Sequence, residues 1–174
     1  MSRLLQYVAV ACLVVLFAGT ASAQMQIKSS AFANGASIPA KYTCDAQNPP
    51  NPPLEFSGVP AKAKSLVLIM EDDDVPKSLM PTGIFVHWIV PDIATSSKGF
   101  AEGKGPAGMN GTGKTGYIGP CPPDREHRYF FDLYALDVPV GNAKITDRKS
   151  FEDSMKSHIV GKAEYMGRYE KAKK

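Results

Sequence analysis

The chain has 174 residues, 44% of them apolar, with 20 Lys and Arg against 17 Asp and Glu. That composition can fill a packed interior and excludes a natively disordered chain. The formal net charge is only +3 and Lys171, Lys173 and Lys174 supply the excess, so no basic stripe with interleaved aromatics exists and nucleic acid is not an expected partner.

The N-terminus reads Met1-Ser2-Arg3, an apolar run from Tyr7 to Ala18, then Ala21-Ser22-Ala23 before Gln24. This charged, apolar and small-residue order is that of a secretory signal peptide cut after Ala23. The apolar run falls short of the roughly 20 residues a spanning helix needs, which disfavours a membrane anchor. Residues 24–174 are then expected to form one domain, periplasmic or secreted, with no transmembrane segment after processing. Cys12 leaves with the leader. Cys44 and Cys121 remain, and an even count in an exported chain favours a disulfide between them.

Strands are expected at Leu66 to Met70, Ile84 to Val90 and Tyr129 to Leu136, apolar runs rich in β-branched or aromatic residues between Pro and Gly clusters. Ser65 to Met70 shows no alternation and reads as a central strand covered on both faces. In the last run Phe131, Leu133 and Ala135 share one face and Asp132 and Tyr134 the other, the pattern of a half-buried antiparallel strand. Phe151, Met155 and Ile159 recur at helical spacing, predicting a helix over Ser150 to Ile159 capped by Asp147 or Ser150. Gly161 reads as its stop and Lys162 to Tyr169 as a final strand. His158 falls on the apolar side of that helix and reads as a core histidine. Asn48 to Pro53 is a rigid Pro-rich connection, and Lys98 to Gly116 is a glycine-rich loop without the Gly-Lys-Ser/Thr ending of a nucleotide loop.

Reactive side chains concentrate in three places: Glu71-Asp72-Asp73-Asp74-Val75-Pro76, His87 inside an apolar strand, and Cys121-Pro122-Pro123 leading to His127-Arg128-Tyr129. Asp72 and Asp74, two apart on extended chain, point the same way. His87 needs a hydrogen-bond partner in its apolar setting, and an aspartate is the obvious candidate.

Asp72-x-Asp74-x-Pro76, Val86-His87-Trp88, Gly113 to Pro123 and His127-Arg128-Tyr129, with Cys44-Asp45, Pro52-Pro53-Leu54, Ala63-Lys64-Ser65-Leu66 and Gly167-Arg168-Tyr169, resemble the phosphatidylethanolamine-binding protein family, and within it the bacterial Raf-kinase-inhibitor-like branch. The resemblance implies a mainly β fold, a Greek-key sandwich of antiparallel sheets with one or two short helices. It also implies a pocket for phosphate-like anions lined by Asp72, Asp74, His87, His127 and Tyr129 and rimmed by Cys121, Pro122 and Pro123. On this reading the two aspartates hold the histidine rings protonated and the histidines with the Tyr129 hydroxyl touch the anion.

The chain departs from the family at Asp73, where a proline is usual, in a Pro49 to Pro53 stretch one residue longer, and in stopping soon after Tyr169, which implies a more open pocket. No cofactor and no metal are expected, and the family's inhibitor activity leaves a protein partner open. Two rival functions use the same residues: a metal site on the carboxylates and histidines, and a hydrolase with Cys121 as nucleophile and His127 as base.

Overall fold

A computed structural model describes residues 24–141 and 143–172. The leader expected at residues 1–23 lies outside the described residues. Among the described residues no helix is long and apolar enough to cross a membrane.

Among the described residues the fold is mainly β, two antiparallel sheets with one short α-helix. Strands β1 (Gln26–Lys28), β2 (Leu54–Ser57) and β5 (Gly99–Phe100) form a small sheet in the order β1-β2-β5. Strands β3 (Ser65–Asp72), β4 (Phe85–Ile93), β6 (His127–Leu136) and β7 (Ile159–Tyr169) form a larger one in the order β4-β3-β6-β7. Strand β3 is buried along its whole length, as its unbroken apolar run requires.

One core lies between the sheets, where Leu54 and Phe56 meet Leu66, Leu68, Trp88, Phe131, Leu133 and Ala135. A second lies on the far face of the large sheet, where Val67, Ile69, Val86, Ile89 and Tyr134 pack against Phe151 and Met155. Each large apolar side chain taken fully out of water contributes about 1.5–3 kcal/mol.

This second layer corrects the half-buried reading of β6. Asp132 is 1% exposed and Tyr134 is fully buried, because helix α1 (Arg148–Met155) covers the face that alternation assigned to solvent. Tyr134 turns its ring to Phe151 and donates its hydroxyl to Glu152.

Helix α1 begins two residues before the expected start and ends four earlier. Asp147 caps it by accepting from Ser150 N at 2.6 Å, and the Ser150 hydroxyl accepts in return from Asp147 N. A single 3-10 turn, Lys156–His158, follows, and Ile159 already belongs to β7. Gly161 is therefore a strand residue and not a helix stop. A Cβ there would stand 2.9 Å from Pro60 Cγ, so the glycine admits a close packing partner. His158 leaves the apolar side at the 3-10 turn and pairs with Asp137 at 2.9 Å, with 42% of its side chain exposed.

Candidate functional site

Strand β3 ends and β4 begins at the site, and the register between them is broken there. Met70 pairs with Trp88 but Glu71 pairs with Val86, so His87 is an extra residue on β4, a β-bulge. The bulge turns His87 toward the core between the sheets, where its ring stands edge-on to Tyr129 with centroids 5.2 Å apart.

A cavity of about 340 Å³ opens over this point. Its walls are mostly apolar, from Val75, Leu79, Met80, Phe85 and Ile118. Asp72 and His87 give it a polar end, and Gly119, Cys121 and Pro123 form the rim. The rim is fixed from behind: Cys44 and Cys121 are joined as a disulfide, and Cys44 N donates to Pro120 O at 3.0 Å. A Cβ at Gly119 would lie 2.7 Å from Tyr42 O, so only glycine lets the rim pass so near that backbone.

The expected partner of His87 was an aspartate; the observed one is a main-chain carbonyl. His87 Nδ1 donates to Ile118 O at 2.7 Å, since a carbonyl can only accept. Burial lowers the proton affinity of the ring to a pKa of about 4. His87 is thus a neutral imidazole at pH 7, and Nε2 carries a lone pair with no protein partner among the described residues.

His127 is fully buried and held on both sides. Nδ1 lies 2.7 Å from Asp72 Oδ2 and Nε2 lies 2.7 Å from Asp124 Oδ1. Asp72 was expected to orient a histidine and does so, whereas Asp124, not singled out by the sequence, occupies the nitrogen expected to face the ligand. Burial raises the pKa of Asp72, with the His127 contact opposing it.

Asp74 does not pair with a histidine. Its carboxylate accepts from Arg128 Nε at 2.7 Å and Nη2 at 2.9 Å, and this guanidinium holds its pKa below the ordinary value. Its backbone N–H donates to Asp72 Oδ1 at 2.9 Å, so the two aspartates close a turn instead of forming a matched pair. Tyr129 is fully buried, its hydroxyl has no hydrogen-bond partner, and burial with the nearby Asp72 charge holds its proton on.

Asp73 reaches Arg148 Nη2 at 2.6 Å. Arg148 also meets Asp132 at 3.1 Å and donates its backbone N–H to Glu71 Oε1 at 2.6 Å. The turn after β3 is therefore tied to α1. Among the described residues no group of three or more His, Cys, Asp or Glu is placed to hold a metal ion. Cys121, being disulfide-bonded, has no thiol for a nucleophilic step.

Sequence reasoning missed Asp124 and the apolar walls from Val75, Leu79, Met80, Phe85 and Ile118. These come from separate segments that converge only in the fold, so the order of the chain carries no signal for them.

The family model for phosphatidylethanolamine-binding proteins matches residues 28–170 of this chain. The chain belongs to that family. Among its relatives, a UPF0098 protein of Chlamydia pneumoniae is 48% identical over 151 residues, covering 85% of this chain and 100% of the relative. A UPF0098 protein of Methanothermobacter thermautotrophicus is 38% identical over 154 residues, covering 83% and 98%. The crystal structure of a phosphatidylethanolamine-binding protein homolog from Chlamydia trachomatis superposes with a TM-score of 0.79 at 44% identity, covering 86% of this chain and 99% of that one. Escherichia coli YbcL, at 24% identity and a TM-score of 0.69 over 86% of this chain and 100% of its own, shares the fold.

Proposed function

We propose that this protein is an exported binding protein for small amphipathic phosphomonoesters, taken up in the singly protonated, monoanionic form. The observation that carries the reading is His87: a buried, neutral imidazole whose free Nε2 belongs to the wall of an otherwise mostly apolar cavity. Protonating this ring at pH 7 costs about 4 kcal/mol. It is cheaper for the ligand to bring the proton, and a phosphomonoester, whose second pKa is about 6, carries one acid hydroxyl below that pH. That hydroxyl donates to Nε2 and the apolar part of the ligand lies on Leu79, Met80 and Phe85; the Tyr129 hydroxyl, buried beside the His87 ring and outside the cavity lining, is unpaired and becomes a donor to a phosphate oxygen only when the ligand opens that contact. Export is supported by the leader-like first residues and by the disulfide. The family's inhibitor activity stays a proposal for a partner at the pocket rim.

Calorimetry at pH 6 with phenyl phosphate and phenyl sulfate tests the reading. The sulfate ester has the same shape but no acid proton, so the phosphate ester binds at least tenfold tighter, and its affinity falls as pH rises through about 6. Equal affinity for the two, or a response to benzylammonium and to neither ester, would overturn it.

A further inference from the structure

The position of Asp124 has no role in the pocket just described. Its carboxylate is exposed and its pKa is held low chiefly by the hydrogen bond to His127. An ionised carboxylate only accepts, so His127 Nε2 is the donor in the 2.7 Å contact. Nε2 belongs to a fully buried side chain whose other nitrogen is locked to Asp72; the ring is built into the fold, while its outer partner sits on a surface loop. Beside Asp124 lies a depression of about 190 Å³ between Pro122 to Arg125 and Glu170 to Ala172, with the cations Arg125 and Lys171 and the anion Glu170 on its walls. Arg125 Nε is 4.0 Å from Asp124 Oδ2. Pro123 borders both this depression and the larger cavity.

We infer that the depression is a second anion subsite, with His127 Nε2–H as its buried donor and Arg125 and Lys171 as its cations, and that Asp124 occupies the anion position until a ligand displaces it. The inference rests on the anion-binding reading above and gives a separate anionic group a place across Pro123 from the acid hydroxyl on His87. A carboxylate tethered next to its donor competes with a free anion at high effective concentration, which sets the affinity of the parent protein low.

The test is anion binding at pH 6 by calorimetry on the parent, Asp124→Ala and Asp124→Glu, with phenyl sulfate and phenyl phosphate as probes. Asp124 is exposed, so the variants fold, which thermal melting verifies. Phenyl sulfate needs no acid proton at His127. Its affinity rises roughly threefold to tenfold in Asp124→Ala and returns toward the parent in Asp124→Glu, with the His127 Nε2 NMR resonance moving on addition of the ester. Unchanged sulfate affinity in Asp124→Ala, with phenyl phosphate still preferred by the parent, overturns the subsite and leaves the pocket reading standing. Loss of the phosphate preference in the parent with a gain of sulfate binding in Asp124→Ala does the reverse. No binding of either ester to any variant ends both.

Discussion

His87 Nδ1 and Ile118 O, 2.7 Å apart, fix which proton the ring keeps and leave Nε2 to the cavity. The same ring is a pH-sensitive element of the fold, and it has an opposite number one strand away.

Burial lowers the His87 pKa from 6.5 to about 4, so the stability it gives is present above pH 6.5 and is lost as pH falls to about 4. Glu71, 1% exposed, is pushed the other way, from 4.5 to about 7, chiefly by burial; its contribution is whole below pH 4.5 and is lost as pH rises to about 7. Each amounts to about 3 kcal/mol over its window. The parent is expected to be nearly flat between these limits, Glu71→Gln to gain stability with rising pH, and His87→Gln to lose it. Urea unfolding at several pH values reads this; two variants with the same slope contradict it.

Tyr129→Phe removes only the buried hydroxyl that has no partner. Stability is expected to hold or to rise by up to about 1 kcal/mol, while phenyl phosphate binding weakens about five- to tenfold. A destabilised variant with unchanged affinity would show that the hydroxyl serves the fold instead.

Arg148 is the cation shared by Asp73 at 2.6 Å, Asp132 at 3.1 Å and Glu71 at 3.5 Å. Arg148→Met leaves Glu71 and Asp73 without their cation, while Asp132 keeps Lys162 at 3.3 Å, and is expected to cost about 3 kcal/mol at pH 7. Part of that loss should return on acidification, as the carboxylates take up protons. Chemical denaturation at neutral and mildly acidic pH checks both the size and the direction.

Legibility followed length and locality. β3 and β6 were readable because eight or more residues carry the pattern, and α1 because Phe151 and Met155 share its buried face. The small sheet was not, since three residues from Gln26 and two from Gly99 hold no period. The site residues were found as types, through motifs, but their pairings were not. Nothing in the chain order says that Asp74 prefers Arg128, or that Asp124 reaches His127. Such choices are made by distances across loops, as is the bulge that turns His87 inward.

The Cys44–Cys121 disulfide spans 77 positions. Replacing both by Ala is expected to cost about 2–4 kcal/mol and to weaken ligand binding, because the rim at Gly119 to Pro123 loses its covalent tie to the Thr43 to Asp45 segment and keeps only the Cys44 N to Pro120 O hydrogen bond. Thermal melting with and without reductant, beside the double variant, gives the comparison; identical melting in all three would exclude a stabilising bond.

The bulge at His87 also sets the parity of β4. Val86 belongs to the helix-side layer and Trp88 to the interior of the sandwich, although two residues apart in a regular strand they would share a face. Deleting His87 would leave Val86 and Trp88 adjacent, and neighbours in a regular strand face opposite layers, as these two already do. Trp88 would stay in the interior of the sandwich and Ile89 in the helix layer, and the pairing with β3 would run without a break from Met70 to Asp72. The extra residue therefore serves the pocket and not the core: β4 carries its histidine as an insertion that the order of the sandwich does not need.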